Sequence, residues 1–126
     1  MRLADITLVA LGGALGASAR FIVGGWLTDR WGVGFPWHTF AINVGGAFLL
    51  GVLMSLSLER GVVGPSWRLF LGTGILGGFT TFSTLSYESL TLMAAGSMAR
   101  GCVNMFGSGA AGLVAAWLGF VAGRIV

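Results

Sequence analysis

The sequence predicts an all-α integral membrane protein of four transmembrane helices, the third of them broken near its middle. Three observations predict it. The 126 residues are 56% hydrophobic and 9% charged with a mean hydropathy of +0.91, far from the usage of a soluble domain. The apolar sequence divides into stretches of spanning length, joined by short connections that hold most of the charge. One of those stretches carries Gly77-Gly78-Phe79-Thr80-Thr81-Phe82-Ser83-Thr84 and then Glu88. Polar or irregular backbone at membrane depth persists only where protein buries it or where it lines a wet path, so this segment is the candidate site. At about 20 residues per span, residues 1–126 make about four spans in a single membrane domain with no room for a soluble one.

The first span covers about residues 4–27. Gly12, Gly13 and Gly16 leave one face without side chains, which lets a neighbouring helix approach closely. A secretory leader is the rival reading, with Arg2 ahead of an apolar core and Ala17-Ser18-Ala19 as cleavage site. Asp5 spoils its basic flank and apolar sequence continues past Arg20. Arg20 lies toward the end of the span, where a long side chain snorkels to the headgroups or draws anions. Trp26, Trp31 and Trp37 surround the following connection, as aromatic rings do at a membrane interface. His38 sits there as an interfacial residue. It is the only histidine and Cys102 the only cysteine, which leaves no His/Cys metal cluster and no disulfide within the chain.

The second span, about residues 38–58, holds Asn43 deep in apolar sequence ahead of Gly45 and Gly46. A carboxamide there needs a partner. An interhelical hydrogen bond and a donor aimed at a permeating anion both satisfy it. The third span, about residues 67–95, exceeds what a crossing needs and must tilt, bend or break, with Gly77-Gly78 marking a break near residues 77–80. Carbonyls freed at a break are hard oxygen ligands suited to an alkali cation. Phe82 and Leu85, three apart, share one helical face, and Glu88 falls toward a vestibule. The fourth span, about residues 100–123, carries Asn104 and Ser108 on one face among Gly107, Gly109 and Gly112.

All seven basic residues are arginines, and the formal net charge is +3. They are scattered, with no basic helix or stacking platform, which argues against a nucleic-acid partner. Arg2, Arg60, Arg68 and Arg124 fall on the side of the termini, Arg30 and Arg100 on the other, with Arg20 grouped with the latter. So weak an orientation bias permits insertion both ways up, and two opposite copies would then pair about an axis in the membrane plane.

Three runs resemble the small bacterial fluoride channels known as Fluc or CrcB: Gly12-Gly13-Ala14-Leu15-Gly16-Ala17-Ser18-Ala19-Arg20, Asn43-Val44-Gly45-Gly46-Ala47-Phe48, and the segment from Gly77 through Thr84 to Glu88. The resemblance spans the chain. It implies a dual-topology antiparallel homodimer in the lipid of the bacterial cytoplasmic membrane, with two pores that passively release cytoplasmic fluoride and relieve its toxicity. It implies that Phe82 and the residue at position 85 offer ring edges to fluoride, that Asn43 donates a hydrogen bond, and that position 104 and Ser108 continue a polar track. Ser83 and Thr84 add hydroxyls along the pathway. A structural Na⁺ at the dimer centre would sit on the backbone carbonyls of Gly77 and Thr80, while Arg20 and Glu88 shape the field. Two positions depart from the pattern: Leu85 replaces a second phenylalanine and Asn104 replaces a frequent tyrosine. Leucine has no electropositive ring edge.

Other classes fit less well. A small proton-coupled multidrug exporter needs a carboxylate near the middle of its first helix, and Asp5 is at the edge. An intramembrane serine enzyme needs a base beside Ser108, and none is in prospect. A non-conducting assembly subunit explains the glycines and Asn43 but not the hydroxyl-rich third span.

Overall fold

A computed structural model describes Met1–Val126, and four stretches of helix in it are long and apolar enough to cross a membrane. Helix α1 (Leu3–Trp31) ends at Gly32, whose φ of 79° lies in the left-handed region that favours glycine. Helix α2 (Trp37–Met54) continues without interruption into a π-helical turn, Ser55–Glu59. The third span opens with Pro65 at the first helical position, where its missing N–H is no loss. This helix, α3, runs as Pro65–Arg68, π-helical Leu69–Leu76 and Gly77–Phe79. Thr80 and Thr81 are then extended, and α4 (Phe82–Ala94) completes the crossing. A turn through Gly96 leads to α5 (Met98–Ile125), whose first turn is capped by Ser97 Oγ accepting from the Arg100 N–H at 3.3 Å.

The packing is inside-out by the standard of a soluble protein. The buried polar residues are Thr39, Ser55, Ser57, Ser89, Asn104 and Ser108, against only Leu27, Ile42, Leu53, Leu85 and Ala115 among buried apolar ones. Large apolar side chains such as Phe21, Phe106, Leu113 and Trp117 face outward instead. In lipid no hydrophobic force pulls apolar side chains inward, so helices associate through close backbone approach and polar bonds. Glycines set both main contacts. Between α1 and α3, a Cβ on Gly12 would lie 2.5 Å from the Phe70 carbonyl oxygen and one on Gly78 2.7 Å from that of Gly13. Between α2 and α5, Gly51 meets the Ala116 backbone and Gly119 the Phe48 backbone with no space for a Cβ.

Both ends of the bundle carry anchors. At the end of the termini, Arg124 grips Glu59 through two bonds of 2.6 and 2.8 Å, and Arg68 donates to Ser57 Oγ at 3.0 Å. At the other, Arg30 stacks 4.4 Å over the Trp26 ring and Arg100 donates to the Gly34 carbonyl at 2.7 Å. Phe35, Trp37 and Phe40 form an aromatic chain beside it, with ring centroids 4.8 and 5.8 Å apart. Arg20 belongs to neither end. It turns into the bundle, leaving four arginines on the side of the termini and two on the other.

Candidate functional site at the break in the third span

The break is held open by side chains reaching it from two other helices. Asn43 of α2 accepts from the Thr81 N–H at 2.7 Å and donates through Nδ2 to the Thr81 carbonyl at 2.9 Å. One carboxamide thereby replaces both hydrogen bonds that a neighbouring strand would make to that residue. Arg20 of α1 donates through Nε to the Gly78 carbonyl at 3.1 Å, placing a cation at the C-terminal end of α3, where the helix dipole is negative. Arg20 is thus a strut of the site and not a headgroup anchor. Thr81 Oγ1 accepts from the Thr84 N–H at 3.2 Å and caps α4, with the Thr81 and Thr84 hydroxyls 3.0 Å apart and Ser83 Oγ 3.4 Å from Thr81 Oγ1. The cap was legible in the Thr-x-x-Thr spacing, a signal that the sequence reading passed over in favour of the glycine pair.

The glycine pair itself remains helical. Gly77 and Gly78 continue α3, and the chain opens at Thr80-Thr81, with ψ of 157° and 117°. Gly78 serves packing against α1. Opening there diverts two donors. The Thr81 N–H that a continuous helix would give to the Gly77 carbonyl goes to Asn43, and the Thr84 N–H that would go to the Thr80 carbonyl goes to the Thr81 side chain. The Gly77 and Thr80 carbonyls are therefore left without their helical partners, and Gly77 is exposed.

Two depressions flank the break. A groove of about 350 Å³ is lined by Asn43, Gly77, Thr80, Phe82, Leu85 and Ser108, among others. A second, larger crevice of about 610 Å³ is lined by Arg20, Asp29, His38, Thr39 and Thr84, among others. Thr81 borders both. Phe82 and Leu85 share the groove but differ in setting: Phe82 is 71% exposed and Leu85 6%. Ser108 Oγ is buried without a hydrogen-bond partner at the groove wall. Asn104 lies behind it, where Nδ2 donates to Ser89 Oγ at 3.0 Å and Ser89 donates on to the Leu85 carbonyl at 2.8 Å, leaving Asn104 Oδ1 unpartnered. Ser89 was not singled out from sequence because a lone serine on an apolar helix carries no signal until its partner is known. Ser83 stays exposed beside the break. Glu88 meets His38 at 3.2 Å, so the lone histidine is not merely interfacial.

The arrangement is an apolar bundle interrupted by oriented amide dipoles, hydroxyls, a ring edge and one internal guanidinium. There is no paired nucleophile and base among these groups. It offers several donors and one fixed positive charge that a small anion could use. The sequence profile of the CrcB-like proteins, described as camphor resistance (CrcB), matches residues 7–120. A protein of Thermus thermophilus named fluoride-specific ion channel FluC is 50% identical over 113 residues, 90% of this chain and 88% of the relative. Proteins of the same name from Acidobacterium capsulatum and Geotalea daltonii are 48% and 42% identical over 94% and 96% of this chain, and 95% and 98% of theirs. A multi-pass membrane chain with this break, and matched across nearly its whole length, belongs to the CrcB-like family.

Proposed function

We propose that the protein is a passive fluoride channel that releases cytoplasmic fluoride, acting as an antiparallel homodimer with one pore along each of two grooves. The observation that carries the reading is the groove itself. Asn43, Phe82 and Ser108, whose hydroxyl is unpartnered, come from three different helices and line it together near the middle of the spans. A buried polar atom without a partner, here Ser108 Oγ, costs several kcal/mol, and a permeating anion held in the groove by a second copy would give it one. The weak arginine bias permits the second copy to be inverted. Relatives bearing the name of a fluoride channel support the choice of ion.

Fluoride holds its water strongly, so the path must offer donors at each step. Along the groove Asn43 retains one N–H after its bond to Thr81, the Ser108 hydroxyl rotates to donate, and the Phe82 edge presents the positive rim of its quadrupole, while Thr84 in the crevice and Ser83 beside the break offer hydroxyls on the approach. Asn104 stands behind this line and orients Ser89. The exposed Gly77 and the Thr80 carbonyl, both short of helical donors, fit a sodium ion shared between two copies. When bound, such an ion supplies fixed positive charge that offsets the dehydration of the anion.

Purified protein in liposomes should release fluoride, read by electrode, down its gradient without a proton gradient, far faster than chloride and only with Na⁺ available. Equal chloride release or dependence on a proton gradient would overturn the reading. Phe82→Leu should lower fluoride release about tenfold, since it removes an electrostatic edge worth about 1 kcal/mol or more in a dry site. Leu85→Phe should raise release by restoring such an edge, with the particle size in detergent unchanged. Equal rates for both variants and the parent would remove ring edges from the mechanism.

A further inference from the structure

Apart from the pairs at the end of the termini, the one contact between titratable groups of opposite sign is His38 with Glu88. His38 opens α2 and Glu88 lies in α4, and their Nε2 and Oε2 atoms are 3.2 Å apart. The two side chains are only 23% and 21% exposed, and the other polar atom of each, Nδ1 and Oε1, is buried without a partner. Neither of these atoms is hydrogen-bonded to a neighbour, so the pair stands outside any hydrogen-bond network and its charge acts on its surroundings. Those surroundings are the crevice. His38 lines it together with Arg20 and Asp29 of α1, and α4 contributes Thr84, one turn before Glu88 on the same face. Arg100 of α5 is held on the preceding connection, at the Gly34 carbonyl. From Thr84 the hydroxyls lead to Thr81, which borders the groove.

We infer that His38 is a positioning residue that sets, through Glu88, the charge met by an anion at the mouth of this crevice. With a neutral imidazole the pair carries one negative charge; with an imidazolium it carries none. Histidine is the side chain whose charge changes between about pH 5 and 8. Anion access is low in the first state and high in the second, so conductance rises as the medium on that side acidifies. Acid is also the condition in which neutral HF crosses a bilayer and loads a cell with fluoride. This inference rests on the fluoride-channel reading and adds to it a proton-set rate.

The test is fluoride current through planar bilayers at about pH 5.5 and about pH 7.5, for the parent protein, His38→Gln and Glu88→Gln. The parent should carry roughly tenfold more current in acid, because losing one unit of negative charge relieves repulsion of the anion. His38→Gln should be flat across pH at the parent's alkaline level. Glu88→Gln leaves the site neutral with a neutral imidazole and positive with an imidazolium, so it should reach the parent's acid level already at about pH 7.5 and still rise in acid, a gain of current at neutral pH that misfolding cannot produce. Because His38 is the only histidine, its ring signals in labelled protein report its protonation directly, and the rise in current should follow them. A pH-flat parent current, an unchanged pH profile in His38→Gln, or loss of current at both pH values in Glu88→Gln overturns the inference while leaving the channel reading intact. Absence of fluoride current from the parent at every pH overturns the channel reading, and this inference with it.

Discussion

Asn43→Asp should abolish fluoride release, lowering it about a thousandfold, while the protein remains folded. The substitution keeps the size of the side chain and one carboxylate oxygen to accept the Thr81 N–H, now 2.7 Å from Oδ1. It removes the Nδ2 donor, which holds the Thr81 carbonyl at 2.9 Å and has a second N–H to offer. It also places a negative charge on the wall of the groove. Two like charges about 4 Å apart repel by about 4 kcal/mol at the effective dielectric of a partly wet site, close to three powers of ten in occupancy. Asn43→Leu should differ in kind. It leaves the Thr81 N–H and carbonyl unpaired at membrane depth, at about 1 to 3 kcal/mol for each, so the break itself loosens and thermal stability falls along with flux. Release and melting measured on both variants separate the two effects. An Asn43→Asp protein that releases fluoride at the parent's rate would take Asn43 out of the pathway, and an Asn43→Leu protein as stable as the parent would take it out of the scaffold.

The same residue shows how far the sequence could be read. An asparagine deep in apolar sequence demands a partner, and both an interhelical bond and a ligand donor satisfied that demand. The structure supplies the first and leaves one N–H for the second. The four crossings were legible because a bilayer dictates length and composition, and these stretches obey both. Which face of each helix turns inward was legible only where glycines or paired polar residues marked it, as at Gly12 and Gly16 or at Asn104 and Ser108. Elsewhere the helices are apolar nearly all round and have no polar stripe to mark the bundle side, so the inward turn of Arg20 toward Gly78 and the burial of Leu85 beside exposed Phe82 had no trace in periodicity. The opening of the third span at Thr80-Thr81 was displaced from the glycine pair for a related reason. Glycine in a membrane helix serves close packing as often as breaking, and here α1 claims Gly78 for packing. The His38–Glu88 contact joins residues 50 positions apart and depends on the placement of α2 against α4. No local pattern encodes it.

Gly16→Ala should unfold the site from a distance, and Gly13→Ala should not. The two glycines lie three residues apart on α1, yet their surroundings are opposite. A Cβ at Gly16 would fall within the contact radius of the Ile75 carbonyl oxygen and 3.0 Å from the Ile75 Cα, whereas one at Gly13 meets nothing within 4 Å. The obstacle at Gly16 is backbone, and it cannot rotate away as a flexible side chain would. Either α1 and α3 separate or the π-helical segment Leu69–Leu76 shifts, and that segment leads directly into Gly77. Overpacking a close helix contact costs about 1 to 3 kcal/mol and more where backbone must move. A loss of 3 kcal/mol corresponds to a fall of roughly 10 °C in melting temperature for a domain of this size. Arg20 lies one turn beyond Gly16 on the same face of α1, so separation there also draws its guanidinium from the Gly78 carbonyl and removes the cation that stabilises the end of α3. Melting in mild detergent and fluoride release should therefore fall together in Gly16→Ala and stay at parental values in Gly13→Ala. Equal behaviour of the two variants would show that backbone contact between α1 and α3 does not hold the break in place.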